Sequence, residues 1–144
     1  MQSVSVSVDI AAPLGEVWRV AADLAGHGRW MADVESIAFD SKTRQGAGTV
    51  MRVATRVGPF RTTDLMTVTG WEPPRRISVL HHGLFTGRGE FDISPVGGAT
   101  RFTWTEGIDF PWQVGGPIAA IFARPVLTWI WRRNLKRLKE LLET

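Results

Sequence analysis

Apolar and polar residues alternate strictly at the start of the chain. Serine alternates with valine over residues 3–8, and Asp9 and Ile10 continue the alternation. A period of two predicts a strand with one face toward a core. Pro13 follows after a very short connection, and proline suits the first position of a helix, where its missing N–H costs nothing. Val17 and Trp18 then begin an apolar stripe. The opening therefore predicts a strand that leads directly into a helix.

The rest of the chain consists of short periodic segments separated by glycine and proline turns. The first helix is expected over residues 13–24, and glycines at 26 and 28 should break it before a second short helix or turn at 29–32. Many short strands in succession indicate an antiparallel meander rather than βαβ units. A long helix is predicted over residues 118–142, and Pro125 should bend it or end its first segment. The six further strands are predicted over 34–40, 48–57, 61–72, 76–82, 87–94 and 100–108, with turns at Gly58-Pro59, Gly83-Leu-Phe and Val96-Gly-Gly98.

Several local motifs resemble one known superfamily. Ala12-Pro13 precedes Glu16-Val17-Trp18, Trp30 follows the glycine-containing break, and Val34 opens the next strand. This pattern resembles the SRPBCC superfamily, also called START/Bet v1-like or helix-grip, and especially its polyketide cyclase/dehydrase-like branch. The order of the predicted elements is similar to the helix-grip order over essentially the whole chain.

That resemblance implies a fold and a kind of function. The implied fold is α+β and helix-grip, with a curved antiparallel sheet of about seven strands wrapped around a long C-terminal helix and two short helices after the first strand. It implies a single domain over residues 1–144. It also implies an apolar cavity between sheet and helix, and hence a small hydrophobic or amphipathic ligand such as a lipid, a polyketide or an aromatic metabolite.

Strand alternation selects the residues that should line such a cavity. Gly87 and Gly89 share the face of Phe91, where glycines can bend the sheet or leave room for a ligand. In the last helix, the leucines and Trp131 at helical spacing should seal the core, while Ile118, Phe122 and Trp129 should border the cavity mouth, beside a lip at 112–117. The expected ligand contacts are Trp30, Met51, Val53, Thr55, Met66, Val79, His81, Phe91, Trp104, Glu106, Phe122 and Trp129.

Glu106 is the one acid in the otherwise apolar register of its strand. If it faces inward, it needs a partner or a raised pKa, because an unpaired buried carboxylate is costly. The alternative is a bulge near Gly107 that turns Glu106 outward. We favour this outward orientation, since strand ends often lose register.

Two further titratable residues are candidates for proton transfer. His81 should point inward and His82 outward, so the two cannot bind one metal ion from a regular strand. A lone inward histidine is more often a hydrogen-bonded core residue than a catalyst. The sequence does not decide the orientation of Asp64. The register of Met66 and Val68 would bring it inward, whereas the register of Leu65, Thr67 and Trp71 would expose it.

The composition is that of an ordinary folded domain without disulfides. Hydrophobic residues make up 44% and charged residues 22% of 144 positions, as in ordinary folded domains. The absence of cysteine excludes disulfides, thiolate nucleophiles and Cys-ligated metals, and is consistent with the cytoplasm. We expect no signal peptide, because no basic leader precedes an apolar run. The apolar stretch 115–131 is interrupted by prolines and Arg124, so we expect no stable membrane insertion.

The net charge of +3 is confined to the end of the chain. From Arg132 onward there are five Lys or Arg and two Asp or Glu, and the remaining positions carry twelve of each sign. Cations near a helix C-terminus complement the helix dipole. We therefore expect no nucleic-acid partner.

The chain has no phosphate-binding loop, dinucleotide fingerprint, nucleophile elbow or zinc-protease helix, so we expect no cofactor and no metal. The favoured hypothesis is ligand binding or carriage. The alternative is an enzyme similar to polyketide cyclases, aromatases or dehydratases, with Glu106, His81 and Asp64 as candidate acid/base groups. A third alternative is an interaction domain whose cavity is filled by its own aromatic residues. The oligomeric state cannot be read from the sequence.

Overall fold

The computed structural model describes residues 2–83 and 85–144. In these ranges a seven-stranded antiparallel sheet has the order β1-β7-β6-β5-β4-β3-β2. Leu84, in the predicted turn Gly83-Leu-Phe, lies outside the described residues. The strands are β1 (Gln2–Ile10), β2 (Val34–Phe39), β3 (Val50–Val57), β4 (Phe60–Glu72), β5 (Arg76–His82), β6 (Thr86–Val96) and β7 (Ala99–Asp109), and the helices are α1 (Leu14–Ala22), a 3-10 helix (Leu24–Arg29), a second 3-10 helix (Trp112–Val114) and α2 (Gly116–Glu143).

The predicted meander is confirmed, because each strand from β2 to β7 pairs with its sequence neighbour. Two tight hairpins have the predicted turns. Gly58, with φ of 60°, lies in the turn between Val57 and Phe60, and Gly97, with φ of 58°, lies in the turn between Val96 and Ala99. Glycine adopts these left-handed angles without a steric penalty. β1 then pairs with β7, so the first and last strands are neighbours.

Two local predictions need correction. The second short helix covers Leu24–Arg29 and so includes both glycines that were expected to break the chain. His27 explains this placement: its Nε2 lies 2.7 Å from the carbonyl oxygen of Ala21 and ties the turn to the end of α1. Of the two alternatives for Pro125, the end of a helical segment is wrong, because α2 runs without interruption from Gly116 to Glu143; a bend at Pro125 stays a prediction. Pro125 is exposed, so the backbone hydrogen bond that proline cannot donate is lost on the side of the helix away from the core.

The two halves of α2 are packed differently. The C-terminal half is anchored in the main core, where Trp131, Leu135 and Leu138 are buried as predicted. The Trp131 ring stacks on Trp104 of β7, with centroids 5.2 Å apart. In the N-terminal half, only Gly116 and Ala120 are buried before Ile130. This half therefore leaves space above the concave face of the sheet.

Candidate functional site

An interior cavity of about 540 Å³ lies between the sheet and the N-terminal half of α2. Its volume falls in the range of small-molecule sites. Most of its wall is apolar and comes from the inward positions of β3 to β7 together with Ala119, Ala123 and Val126 of α2. Phe60 and Phe122 line the cavity and are 60% and 75% exposed, so the cavity reaches the surface at these side chains.

The residues expected to bind a ligand fall into two groups. Trp30 is fully buried in the aromatic core, where its ring contacts Phe91, Phe102 and Trp104. Trp129 is 60% exposed on the outer side of α2, beneath the guanidinium of Arg133. Neither side chain lines the cavity. The prediction failed for Trp129 because helical spacing alone does not show which apolar side chains project outward. The others line it: Met51, Val53, Thr55, Met66, Val79, His81, Phe91, Trp104, Glu106 and Phe122.

Glu106 points inward and is 8% exposed, so the favoured outward orientation is wrong. The pairing of β7 with both of its neighbours runs without a shift through Glu106 and Gly107, and the expected bulge does not occur. Oε1 of Glu106 lies 2.7 Å from Nε2 of His81, which is also buried. The buried acid therefore has the partner that its burial requires.

The contact bridges two strands that are not neighbours, because β6 lies between β5 and β7. Gly89 of β6 is paired with Glu106 on one side and with Val79 on the other. A Cβ atom at position 89 would lie only 2.8 Å from Oε1 of Glu106. The missing side chain of Gly89 therefore leaves the gap through which the carboxylate reaches His81.

His81 and Glu106 form a charge-stabilised pair. Burial alone would lower the pKa of His81, but the hydrogen bond that its ring N–H donates to Glu106, the charge of Glu106 and the charge of Asp64 act against it. Together they raise the pKa of His81 above its ordinary value of 6.5. Because Nε2 is engaged by Glu106, Nδ1 is the ring nitrogen left for proton exchange.

Asp64 faces the cavity from β4 and is 8% exposed. It shares a face with Met66, which is paired with His81, so Asp64 is a diagonal neighbour of the histidine. Burial raises the pKa of Asp64 above 3.8, while the nearby His81 and the Thr62 hydroxyl act in the opposite direction. We call Asp64, His81 and Glu106 the acid–histidine cluster.

A register shift resolves the two alternatives for Asp64. The pairing of β4 with β5 shifts between Val68 and Gly70. Asp64 and Val68 lie inward before this shift, and Trp71 turns inward after it to contact Trp18. The register of Met66 and Val68 is therefore correct for Asp64, and the alternative register is correct only at Trp71, beyond the irregularity.

Some cavity residues carry no signal in the sequence pattern. His27 lies in the wall, and burial lowers its pKa despite the opposing hydrogen bond to Ala21, so the ring is neutral. Asp33 also lines the cavity and accepts a 2.7 Å hydrogen bond from Nδ2 of Asn134, a fully buried residue of α2. A histidine between two glycines and an aspartate in a connection have no periodicity that would assign them to a wall.

The proposed lip beside the mouth forms the 3-10 helix Trp112–Val114. Trp112 is 78% exposed, and Ile118, expected near the mouth, is exposed without lining the cavity. Across the described residues no group of three or more His, Cys, Asp or Glu could hold a metal ion. Within the same part of the chain, no helix is both long and apolar enough to cross a membrane.

The family described as "Polyketide cyclase / dehydrase and lipid transport" matches residues 1–143. No curated protein shows significant sequence similarity to the chain. Among solved structures, a START superfamily protein from Mycobacterium smegmatis is similar with a TM-score of 0.78 and 16% identity, covering 98% of this chain and 97% of the other. A protein from Thermus thermophilus has a TM-score of 0.75 and 24% identity, covering 99% and 94%. The di-domain ARO/CYC protein BexL from the BE-7585A biosynthetic pathway has a TM-score of 0.76 and 20% identity, covering 99% of this chain and 50% of its own. At these identities the structural matches establish the helix-grip fold.

Proposed function

This chain belongs to the polyketide cyclase / dehydrase and lipid transport family, and we propose that it binds a small hydrophobic or amphipathic molecule in the cavity between the sheet and α2. A lipid, a polyketide or an aromatic metabolite fits this description. The observation that carries the proposal is the cavity of about 540 Å³, walled mainly by apolar side chains and open beside Phe122. Each square ångström of apolar ligand surface removed from water contributes about 25 cal/mol to binding.

Native mass spectrometry of the purified protein, followed by organic extraction, tests this proposal first. We expect a discrete molecule to co-purify, and its mass would identify the ligand class. Where exchange is fast, displacement of the neutral apolar dye Nile red measures binding directly. A protein that carries no molecule and binds no dye would contradict the proposal.

A matched pair of variants locates the binding site. Ala123 lines the cavity from α2, whereas Ile121 is 58% exposed on the same helix and does not line it. Ala123→Trp should fill part of the cavity and weaken binding about 5- to 150-fold, since overpacking of a filled site costs about 1–3 kcal/mol. Ile121→Trp should bind as the wild type does. Equal binding by both variants would place the ligand elsewhere.

A second candidate function is acid–base catalysis of a cyclisation or dehydration. It is favoured by the 2.7 Å His81–Glu106 contact, which lies in the cavity wall. A carboxylate holds the imidazole in one orientation, and in the neutral form of the ring Nδ1 can accept a proton from a carbon next to a carbonyl. In a dehydration of a β-hydroxyketone, Nδ1 takes the proton from the α-carbon, the C=C bond forms as the C–O bond breaks, and the imidazolium returns the proton to the hydroxyl, which leaves as water.

Conversion of an aromatic β-hydroxyketone to its enone, followed by absorbance, tests this candidate. Removal of a positioned acid or base costs roughly 10²- to 10⁴-fold in rate, so His81→Ala and Glu106→Gln should abolish most of the turnover. His82→Ala is the matched control, because His82 is exposed on the same strand. Turnover at the uncatalysed rate, or turnover that the first two variants leave unchanged, would count against catalysis of this dehydration.

We also propose that residues 1–144 act as a single domain in the cytoplasm, without nucleic acid. The cysteine-free composition and the confinement of the excess positive charge to the last helix support this proposal.

A further inference from the structure

One carboxylate in the polar part of the cavity wall lacks a hydrogen bond from residues 2–83 and 85–144 to one of its oxygen atoms. Oδ1 of Asp64 is buried and has no hydrogen-bond partner among the described residues. It lies beside Gly83, where a Cβ atom would approach it to 2.8 Å. A buried carboxylate without full hydrogen bonding is costly, and structures usually supply a donor. Asp64 forms part of the cavity wall, so a donor bound in the cavity next to this carboxyl group compensates its charge.

The charged residues of the cavity wall are predominantly acidic. Asp33, Asp64, Glu90 and Glu106 line it, and no lysine or arginine does so in the described part of the chain. Asp33 accepts a hydrogen bond from Asn134, and Glu90 is paired with Arg76 on the other side of the sheet. Within the acid–histidine cluster, His81 is engaged by Glu106 and leaves Asp64 without a matched cation.

The structure therefore favours ligands by the charge of their head group. We propose that the cavity binds an apolar molecule whose polar head is a hydrogen-bond donor, an ammonium in preference to a hydroxyl, next to Asp64, and that it discriminates against free carboxylates. This inference rests on the proposed binding function and specifies its ligand class. A cationic donor neutralises the carboxylate, whereas a carboxylate head would meet two acidic side chains in a site of low dielectric.

Three amphiphiles of equal chain length test this inference: dodecylamine, dodecanol and dodecanoate. Each competes with bound Nile red near neutral pH, at concentrations below micelle formation. We expect dodecylamine to displace the dye at a concentration about tenfold lower than dodecanoate, as one charge-assisted hydrogen bond predicts, with dodecanol between them. Equal displacement by the amine and the carboxylate, or tighter binding of the carboxylate, would overturn the inference.

Asp64→Asn identifies the responsible group, and Asp40→Asn is its matched control. Asp40 is a surface residue paired with Arg52, so this control removes the same formal charge outside the cavity. Asp64→Asn should abolish the preference for the amine over the carboxylate, and Asp40→Asn should retain it. A preference that survives Asp64→Asn would contradict the role of Asp64 and leave binding intact. Failure of all three amphiphiles to displace bound dye would also overturn the inference, whereas a protein that carries no molecule and binds no dye would contradict the proposed function itself.

Discussion

Glu106 and His81 are hydrogen-bonded at 2.7 Å although an entire strand separates the strands that carry them. Side chains of alternate strands normally do not meet across an intervening residue, because strands lie about 4.8 Å apart and the residue between them fills the gap. Here Gly89 is paired directly with Glu106 and has no side chain. The glycine thus determines whether the acid and the histidine can interact.

Gly89→Ala should break this interaction. The new Cβ would lie 2.8 Å from Oε1 of Glu106 and 3.1 Å from Cγ2 of Val79, so the carboxylate must move. We expect the free energy of unfolding to fall by about 1–3 kcal/mol, as for other overpacked interiors, in urea-unfolding curves. Gly15→Ala is the control, since a Cβ there meets nothing within 4 Å. A variant at position 89 as stable as this control would show that the sheet adjusts without moving Glu106.

The sheet could be predicted well because its signals are local. The bounds of β5 agree with the predicted 76–82, and the hairpin turns follow from Gly58 and Gly97. Alternation of side chains requires only the neighbouring residues, so the cavity-facing positions of β3 and those of Trp104 and Ile108 in β7 were also predictable. The buried face of the second half of α2 followed from helical spacing in the same way.

The cluster could be predicted only in part, because its geometry is not local. The inward orientation of Asp64 depends on a register shift after Val68, which no residue of β4 signals by itself. The contact between His81 and Glu106 depends on Gly89 in a third strand. A glycine on an inward face was expected to bend the sheet or admit a ligand, and here it makes room for a side chain of the protein.

Glu106→Gln should lower the pKa of His81. Burial then acts with less opposition, because the hydrogen bond and charge of Glu106 raise this pKa in the wild type. Titration of the imidazole Cε1 proton by NMR measures the change, and a His81→Gln variant assigns the resonance. An unchanged titration midpoint would mean that Glu106 does not hold the proton on His81.

The same pair should make stability depend on pH. The folded pKa of His81 is above the unfolded value of 6.5. Its contribution is therefore fully present below the unfolded pKa and is lost as pH rises through the folded pKa. The stability advantage of the wild type over Glu106→Gln should thus shrink as pH rises above 6.5 and through the folded pKa of His81, as measured by urea unfolding at each pH. An advantage that grows over this interval would have the wrong sign for this pair.

Asp64→Asn should stabilise the protein near neutral pH. Burial raises the pKa of this carboxyl group, which means that the charged form is less favourable in the folded state than in the unfolded state. The contribution of Asp64 is therefore favourable at acidic pH and is lost as pH rises through its folded pKa. We expect the melting temperature of Asp64→Asn to exceed that of the wild type near pH 7, and the gap to close as pH falls toward 3.8. Asp40→Asn, at an exposed ion pair, should change stability by no more than about 0.5 kcal/mol. A lower melting temperature for Asp64→Asn at neutral pH would contradict this assignment.

Asn134→Ala should loosen the attachment of α2 to the cavity wall. Oδ1 of Asn134 accepts a 3.0 Å hydrogen bond from the backbone N–H of Ala32, and Nδ2 donates to Asp33, all in a site where Asn134 is fully buried. Truncation leaves both partners unpaired and opens a small cavity, so we expect a loss of about 2–4 kcal/mol in urea unfolding. Lys136→Ala, on the exposed side of the same helix, should cost no more than about 0.5 kcal/mol. Asn134→Asp separates the two bonds, because it keeps the acceptor for Ala32 but places a carboxylate against Asp33. Its defect should therefore be larger at neutral pH than at acidic pH, and a defect independent of pH would show that the bond to Asp33 contributes little.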